Sequence, residues 1–143
     1  MAAIDLETKS KSKHALNHQI LKAAKAFSQT NESELFVCYT VPFSKVLRDL
    51  GIHFKDELEN GAAKTLKSKI EKLAAEYDIP LANFTIKAGE PEKVIPSIAA
   101  KQKAGLVVIG TVGRKGLKAK VLGNTAEKIL NLLKSDVLAL KPE

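Results

Sequence analysis

Tryptophan is absent from the 143 residues, and Phe and Tyr make up only 5% of them. Without flat aromatic platforms, a stacking surface for single-stranded nucleic acid is not expected. Cysteine occurs once, at Cys38, so no internal disulfide is available and a reducing cytoplasm is the expected setting. No apolar run approaches the ~20 residues of a membrane-spanning helix. The opening MAAIDLETKSK lacks the basic-then-apolar order of a signal peptide. No Ser-His-Asp set, paired carboxylates or HExxH stretch is present, so dedicated hydrolytic catalysis is not expected. Two familiar phosphate loops are also missing. There is no G-x-x-x-x-G-K-[ST], and no G-x-G-x-x-G follows the first strand.

What remains fits a single domain with its own core. The chain is 45% hydrophobic and 27% charged, an ordinary globular balance. It carries 23 Lys+Arg against 16 Asp+Glu, a net charge of +7, with most lysines dispersed as on a solvated surface. Clusters stand at Lys9 to Lys13 and at Arg114 to Lys120. A basic cluster beside closely spaced glycines points to an anionic ligand.

The hydrophobic pattern alternates between two periods. Residues 2–6 read as a short first strand. Ala15, Leu16, Ile20, Ala23, Ala24 and Phe27 recur at helical spacing and predict a helix over 14–28. Residues 35–41 are a continuous β-prone run, the mark of a strand buried on both faces. An irregular connection over 43–54, with a turn of helix at 45–50, leads to a long helix over 55–77. That helix carries the stripe Leu58, Ala62, Leu66, Ile70, Leu73 and Ala74. A strand over 83–88 is followed by the turn Gly89-Glu90-Pro91, with Pro91 at a helix first position. A helix over 92–103 then holds Pro96 within or near its first turn. A second apolar strand covers 106–109, a helix 124–133 and a last strand 136–140. This β-α-β-α-β-α-β-α-β order predicts an open, doubly wound parallel sheet covered on both faces, in one domain spanning 1–143.

Residues 110–125 hold the spacing of interest. The strand over 106–109 runs into Gly110-Thr111-Val112-Gly113, and Gly123-Asn124-Thr125 opens the next helix. Gly110 and Gly113 permit a close backbone approach. The loop can turn its N–H groups inward as an anion nest, and a helix N-terminus favours phosphate. In open α/β sheets, ligands sit beyond the carboxyl ends of strands where the strand order reverses. Spacing alone leaves turn chemistry and ligand chemistry both open.

The segments VIGTVGRKGL and VLGNTAEKI resemble the G-x2-G-x9-G-[S/T] signature of the universal stress protein family. The likeness extends over the whole chain, through Ala3-Ile4-Asp5, Gly89-Glu90-Pro91 and the ending DVLALKP. It is strongest to the second half of tandem, two-domain members. The resemblance implies a five-stranded sheet in the order 3-2-1-4-5. It implies a homodimer through the last strand (Val137, Leu138, Ala139, Leu140), or pairing with a second stress-protein domain. It also implies bound ATP, with Mg²⁺ accompanying the phosphates, in a sensing or regulatory role where any hydrolysis is slow and incidental. Carried over by residue, Asp5 meets the adenosine, Tyr39 lies near the adenine, and Gly110, Gly113, Arg114, Gly123, Asn124 and Thr125 hold ribose and phosphates. Asn124 departs from the signature by replacing a hydroxyl with an amide, which still caps a helix and donates to oxygen. Together with the short first strand, it favours the alternative of a structural or dimerisation module that binds no nucleotide. That short strand also carries the expectation that the chain is a fragment of a two-domain protein or has lost leading residues.

Other candidates read more plainly. His14 and His18 have metal-ligand spacing, but no carboxylate or cysteine matches it and the flanks are lysine-rich, so a solvated helix face is expected. His53 stands alone, and Cys38 reads as a small core residue. No metal site is expected.

Overall fold

The computed structural model describes residues 1–43, 52–111 and 124–142. Five strands form one sheet: β1 (Ala2–Ala3), β2 (Val37–Pro42), β3 (Phe84–Gly89), β4 (Leu106–Gly110) and β5 (Asp136–Leu140). The order is β3-β2-β1-β4-β5, and every pairing is parallel. The strand order expected from the resemblance is therefore the one observed.

Among the described residues, four helices cover the sheet: α1 (Lys11–Thr30), α2 (Ile52–Tyr77), α3 (Pro91–Lys101) and α4 (Asn124–Leu132). Two apolar cores result. Val37, Tyr39, Val41 and Val108 pack with Leu16, Ile20, Leu21 and Leu66 of α1 and α2. Cys38, Val107 and Ile109 pack with Ile95, Ile98, Ala126 and Ile129 of α3 and α4. Successive strand residues point to opposite faces, so each central strand must be apolar throughout. The uninterrupted runs in β2 and β4 follow from that requirement.

The first strand is shorter than the expected 2–6. Its ladder continues only as far as Ile4, whose N–H donates to the Cys38 carbonyl at 3.0 Å. At Asp5 a side chain takes over. The Asn17 Oδ1 accepts the Asp5 N–H at 3.0 Å, and the Asn17 Nδ2 donates to the Asp5 carbonyl at 2.7 Å. With both of its backbone groups bound to α1, Asp5 leaves the sheet.

Helix α1 starts at Lys11, three residues before the expected 14, after Ser10 in extended backbone. The strand expected from 83 begins at Phe84, because residues 81–83 form a 3-10 turn whose Asn83 Nδ2 donates to the Leu35 carbonyl at 3.1 Å. Pro96 is the sixth residue of α3, beyond the first turn, where proline removes a helical hydrogen bond. The expected turn of helix at 45–50 lies outside the described residues.

Three of the described helices end on a residue with left-handed backbone other than glycine: Glu32 (φ 48°), Asp78 (φ 49°) and Lys103 (φ 49°). In each, the following N–H reaches back to a carbonyl in the last turn: Ser33 to Ser28, Ile79 to Ala74 and Ala104 to Ala99, all at 2.9 Å. This closure satisfies carbonyls that the helix end would otherwise leave unpaired.

Candidate functional site

A cavity of about 300 Å³ opens at the carboxyl ends of β1, β2 and β4. The strand order reverses here, since β1 is flanked by β2 on one side and β4 on the other. Strands β2 and β4 supply Cys38, Tyr39, Thr40, Ile109 and Gly110 to the wall, and Ile4 and Asp5 join it just beyond β1. Helix α1 adds Lys13, Leu16 and Asn17, α3 adds Pro91 and Ile95, and α4 adds Thr125 and Ala126.

Of the eight residues singled out in the sequence, Asp5, Tyr39, Gly110 and Thr125 meet in this wall. Asn124 is the first residue of α4, one position from the wall. Gly113, Arg114 and Gly123 lie outside the described residues.

Three of these wall residues, Asp5, Tyr39 and Gly110, have an identifiable support. Asp5 is held through its backbone by Asn17, and its Oδ1 accepts the Glu7 N–H at 3.3 Å. The Tyr39 ring is 3% exposed within the core between β2 and α1, and its hydroxyl donates to the Glu7 carboxylate. Gly110 has a packing reason to be glycine. A Cβ at this position would stand 2.7 Å from the Leu16 Cδ2. The close approach inferred from the spacing is therefore an approach of α1 to β4. Cys38 is fully enclosed, and burial pushes its thiol up to about 12, which keeps it protonated and unreactive.

The opening carries both signs of charge, with the Asp5 carboxylate in the wall and positive charge from Lys13 and three helix starts. The first turns of α1, α3 and α4 each contribute to the wall, through Lys13, Pro91 and Thr125. Helix starts carry unpaired N–H groups and a partial positive charge, and Lys13 adds a full one. The acidic residues near the start of α3 are matched by cations. Glu90 pairs with Lys93 at 2.6 Å and Glu92 with Lys128 at 3.5 Å. Among the described residues, no group of three His, Cys, Asp or Glu could hold a metal ion. No described helix is long and apolar enough to cross a membrane.

Three polar wall residues, Lys13, Asn17 and Thr40, are not among the eight singled out in the sequence. Asn17 occupies an inward position of α1 beside Leu16 and Ile20, where an amide is out of place unless it has buried partners. Thr40 is the polar member of the otherwise apolar run of β2. Both signals were present, but the backbone of Asp5, the partner of Asn17, is twelve residues away and becomes adjacent only on folding.

The universal stress protein family profile matches residues 2–141. Universal stress protein E of Salmonella typhi is 32% identical over 146 aligned positions, covering all of this chain and 46% of that protein. The chain thus spans about half the length of the curated relatives it matches over its whole extent. A crystal structure of a Pseudomonas aeruginosa PAO1 protein of unknown function superposes with a TM-score of 0.75 at 30% identity, over 99% of this chain and 46% of the other. A universal stress protein solved in complex with cAMP shares the fold at a TM-score of 0.55 and 17% identity, over 97% and 94% of the two chains. The whole-length profile match, the 3-2-1-4-5 parallel sheet and these relatives make the chain a member of the universal stress protein family.

Proposed function

We propose that this domain binds ATP or a related nucleotide in the cavity at the carboxyl ends of β1, β2 and β4, and acts as a sensor or regulator in a stress response. One observation carries the reading. Three helix starts and Lys13 converge on an apolar cavity at the point where strand order reverses. Apolar walls suit a base and sugar, and the helix starts with Lys13 suit phosphate. The volume of about 300 Å³ suits a nucleoside. Asp5 and Thr125 border the cavity, and Gly113, Arg114, Gly123 and Asn124 complete the proposed set. The family member that binds cAMP supports a nucleotide as the ligand class. Mg²⁺ would arrive with the phosphates. The proposed action is binding, with any hydrolysis slow and incidental.

Isothermal titration with ATP and Mg²⁺ tests this. Saturable binding to the wild type is expected, with Lys13→Ala raising the Kd by about 3–10-fold through loss of one phosphate-facing charge. No heat of binding in the wild type would refute the reading.

A second reading is favoured by Gly110 and Asn124. Packing against Leu16 accounts for the glycine without any ligand, and Asn124 lacks the signature hydroxyl. On this reading the domain is a structural or dimerisation module, and its Tm is unchanged by ATP with Mg²⁺.

A further inference from the structure

We propose that Thr40 anchors the buried end of the ligand, its hydroxyl hydrogen-bonding an edge of the base; this rests on the reading of the cavity as a nucleotide site. Thr40 forms part of the cavity wall and is only 7% exposed. Its Oγ1 is enclosed and has no hydrogen-bond partner among the described residues. Buried hydroxyls in folded proteins are nearly always paired, so an unpaired one beside a cavity is a group with which a ligand atom can pair. The Gln19 Oε1 and the Ser135 Oγ also lack partners, but neither residue borders this cavity.

Two neighbouring polar side chains of the wall, Asn17 and Tyr39, are already engaged. Both hydrogen-bonding atoms of the Asn17 amide hold the Asp5 backbone, and the Tyr39 hydroxyl donates to Glu7. Thr40 lies on the same face of β2 as Cys38, two residues away, the face that packs against α3 and α4. Around it the wall is apolar, with Ile95, Ile109 and Ala126. Threonine has more than one staggered χ1 position, and a rotation of about 120° carries the hydroxyl to the site of its methyl group. One hydroxyl that both donates and accepts matches a ring nitrogen or exocyclic amine. It does not match a phosphate, which several donors would have to surround. Lys13 and the helix starts provide for the phosphates. Thr40 therefore acts on affinity through the base.

The test is titration of ATP with Mg²⁺ into the wild type, Thr40→Val and Thr40→Ser, with the Tm of each free protein. Thr40→Val keeps the shape and removes the hydroxyl. Its Kd is expected to rise about 3–10-fold, the loss of one hydrogen bond. Its free Tm is expected to equal or exceed that of the wild type, since an unpaired buried hydroxyl has gone. Thr40→Ser keeps the hydroxyl and is expected to bind within about 2-fold of the wild type, which a purely steric role for the methyl group would not allow. A wild-type Kd in Thr40→Val, or an equal loss in Thr40→Ser, overturns the assignment of Thr40. A wild type that binds no ATP overturns the nucleotide reading itself, so the two failures are told apart by the first titration.

Discussion

Gly110 and Cys38 show how packing limits what individual residues can do. The absent Cβ of Gly110 leaves room for the Leu16 side chain, which would stand 2.7 Å from it. Gly110→Ala should therefore destabilise the fold by about 1–3 kcal/mol, the usual cost of overpacking a core. Much of that cost should vanish in a Leu16→Ala background. Denaturation of the two single variants and the double variant measures the coupling. An equal cost in both backgrounds would contradict the packing account. Any loss of ligand affinity in a Gly110 variant has to be corrected for this effect, which makes Thr40 and Lys13 cleaner probes.

Cys38 carries a pH prediction. Burial raises its thiol from the ordinary range to about 12. Below pH ~8.5 both folded and unfolded chains hold the proton, and the residue adds no pH dependence. Between ~8.5 and 12 the unfolded chain releases the proton while the fold keeps it. Stability then falls as pH rises, by up to about 1.4 kcal/mol per unit. Urea denaturation at pH 8 and pH 10 should show a loss about 2 kcal/mol larger in the wild type than in Cys38→Ala. The native thiol should also fail to react with a thiol reagent until denaturant is added. Equal pH slopes, or prompt modification of the folded protein, would contradict this.

At the scale of elements, the edge of β3 is guarded by one carboxylate. Glu59 of α2 accepts the Ala88 N–H at 2.9 Å and pairs with the Lys87 Nζ at 3.0 Å. Its side chain is only 13% exposed, so the bond is sheltered from water. An open strand edge invites pairing with another chain, and a fixed carboxylate blocks that edge. Glu59→Ala should cost about 1–2 kcal/mol by leaving the Ala88 N–H without a partner, read by denaturation. A change below a few tenths of a kcal/mol would sink this reading.

The same elements show what the sequence made legible. The apolar runs of β2 and β4 announced strands buried on both faces, and alternation with helical stripes announced the doubly wound sheet. Pro91 marked the start of α3 because proline fits a first helical position. The point where β1 ends was harder to read, because a side-chain amide of α1 takes over at Asp5 and such a partner has no local signature. The burial of Thr40 without a partner is likewise a tertiary fact. Gly110 was legible as a point of close approach, but the neighbour that approaches could be identified only in three dimensions.

For the whole molecule, β5 forms one edge of the sheet, and Leu138 on it is 38% exposed. An apolar strand edge is suited to pairing with its own copy about a twofold axis. We propose that two domains associate through β5, either as a homodimer or with a second stress-protein domain. Leu138→Lys should shift sedimentation toward the monomer without a loss of helical signal. A wild type that is monomeric at high concentration would contradict the homodimer.

The central claim is that the cavity between the carboxyl ends of the strands and the starts of α1, α3 and α4 receives a nucleotide. Amide chemical shifts followed during titration with ATP and Mg²⁺ test it most directly. Saturable shifts are expected at Asp5, Lys13, Thr40, Gly110 and Thr125, with the opposite end of the sheet, around Phe27 and Gln102, unmoved. Shifts confined to that opposite end, or no shifts at saturating ATP, would contradict it.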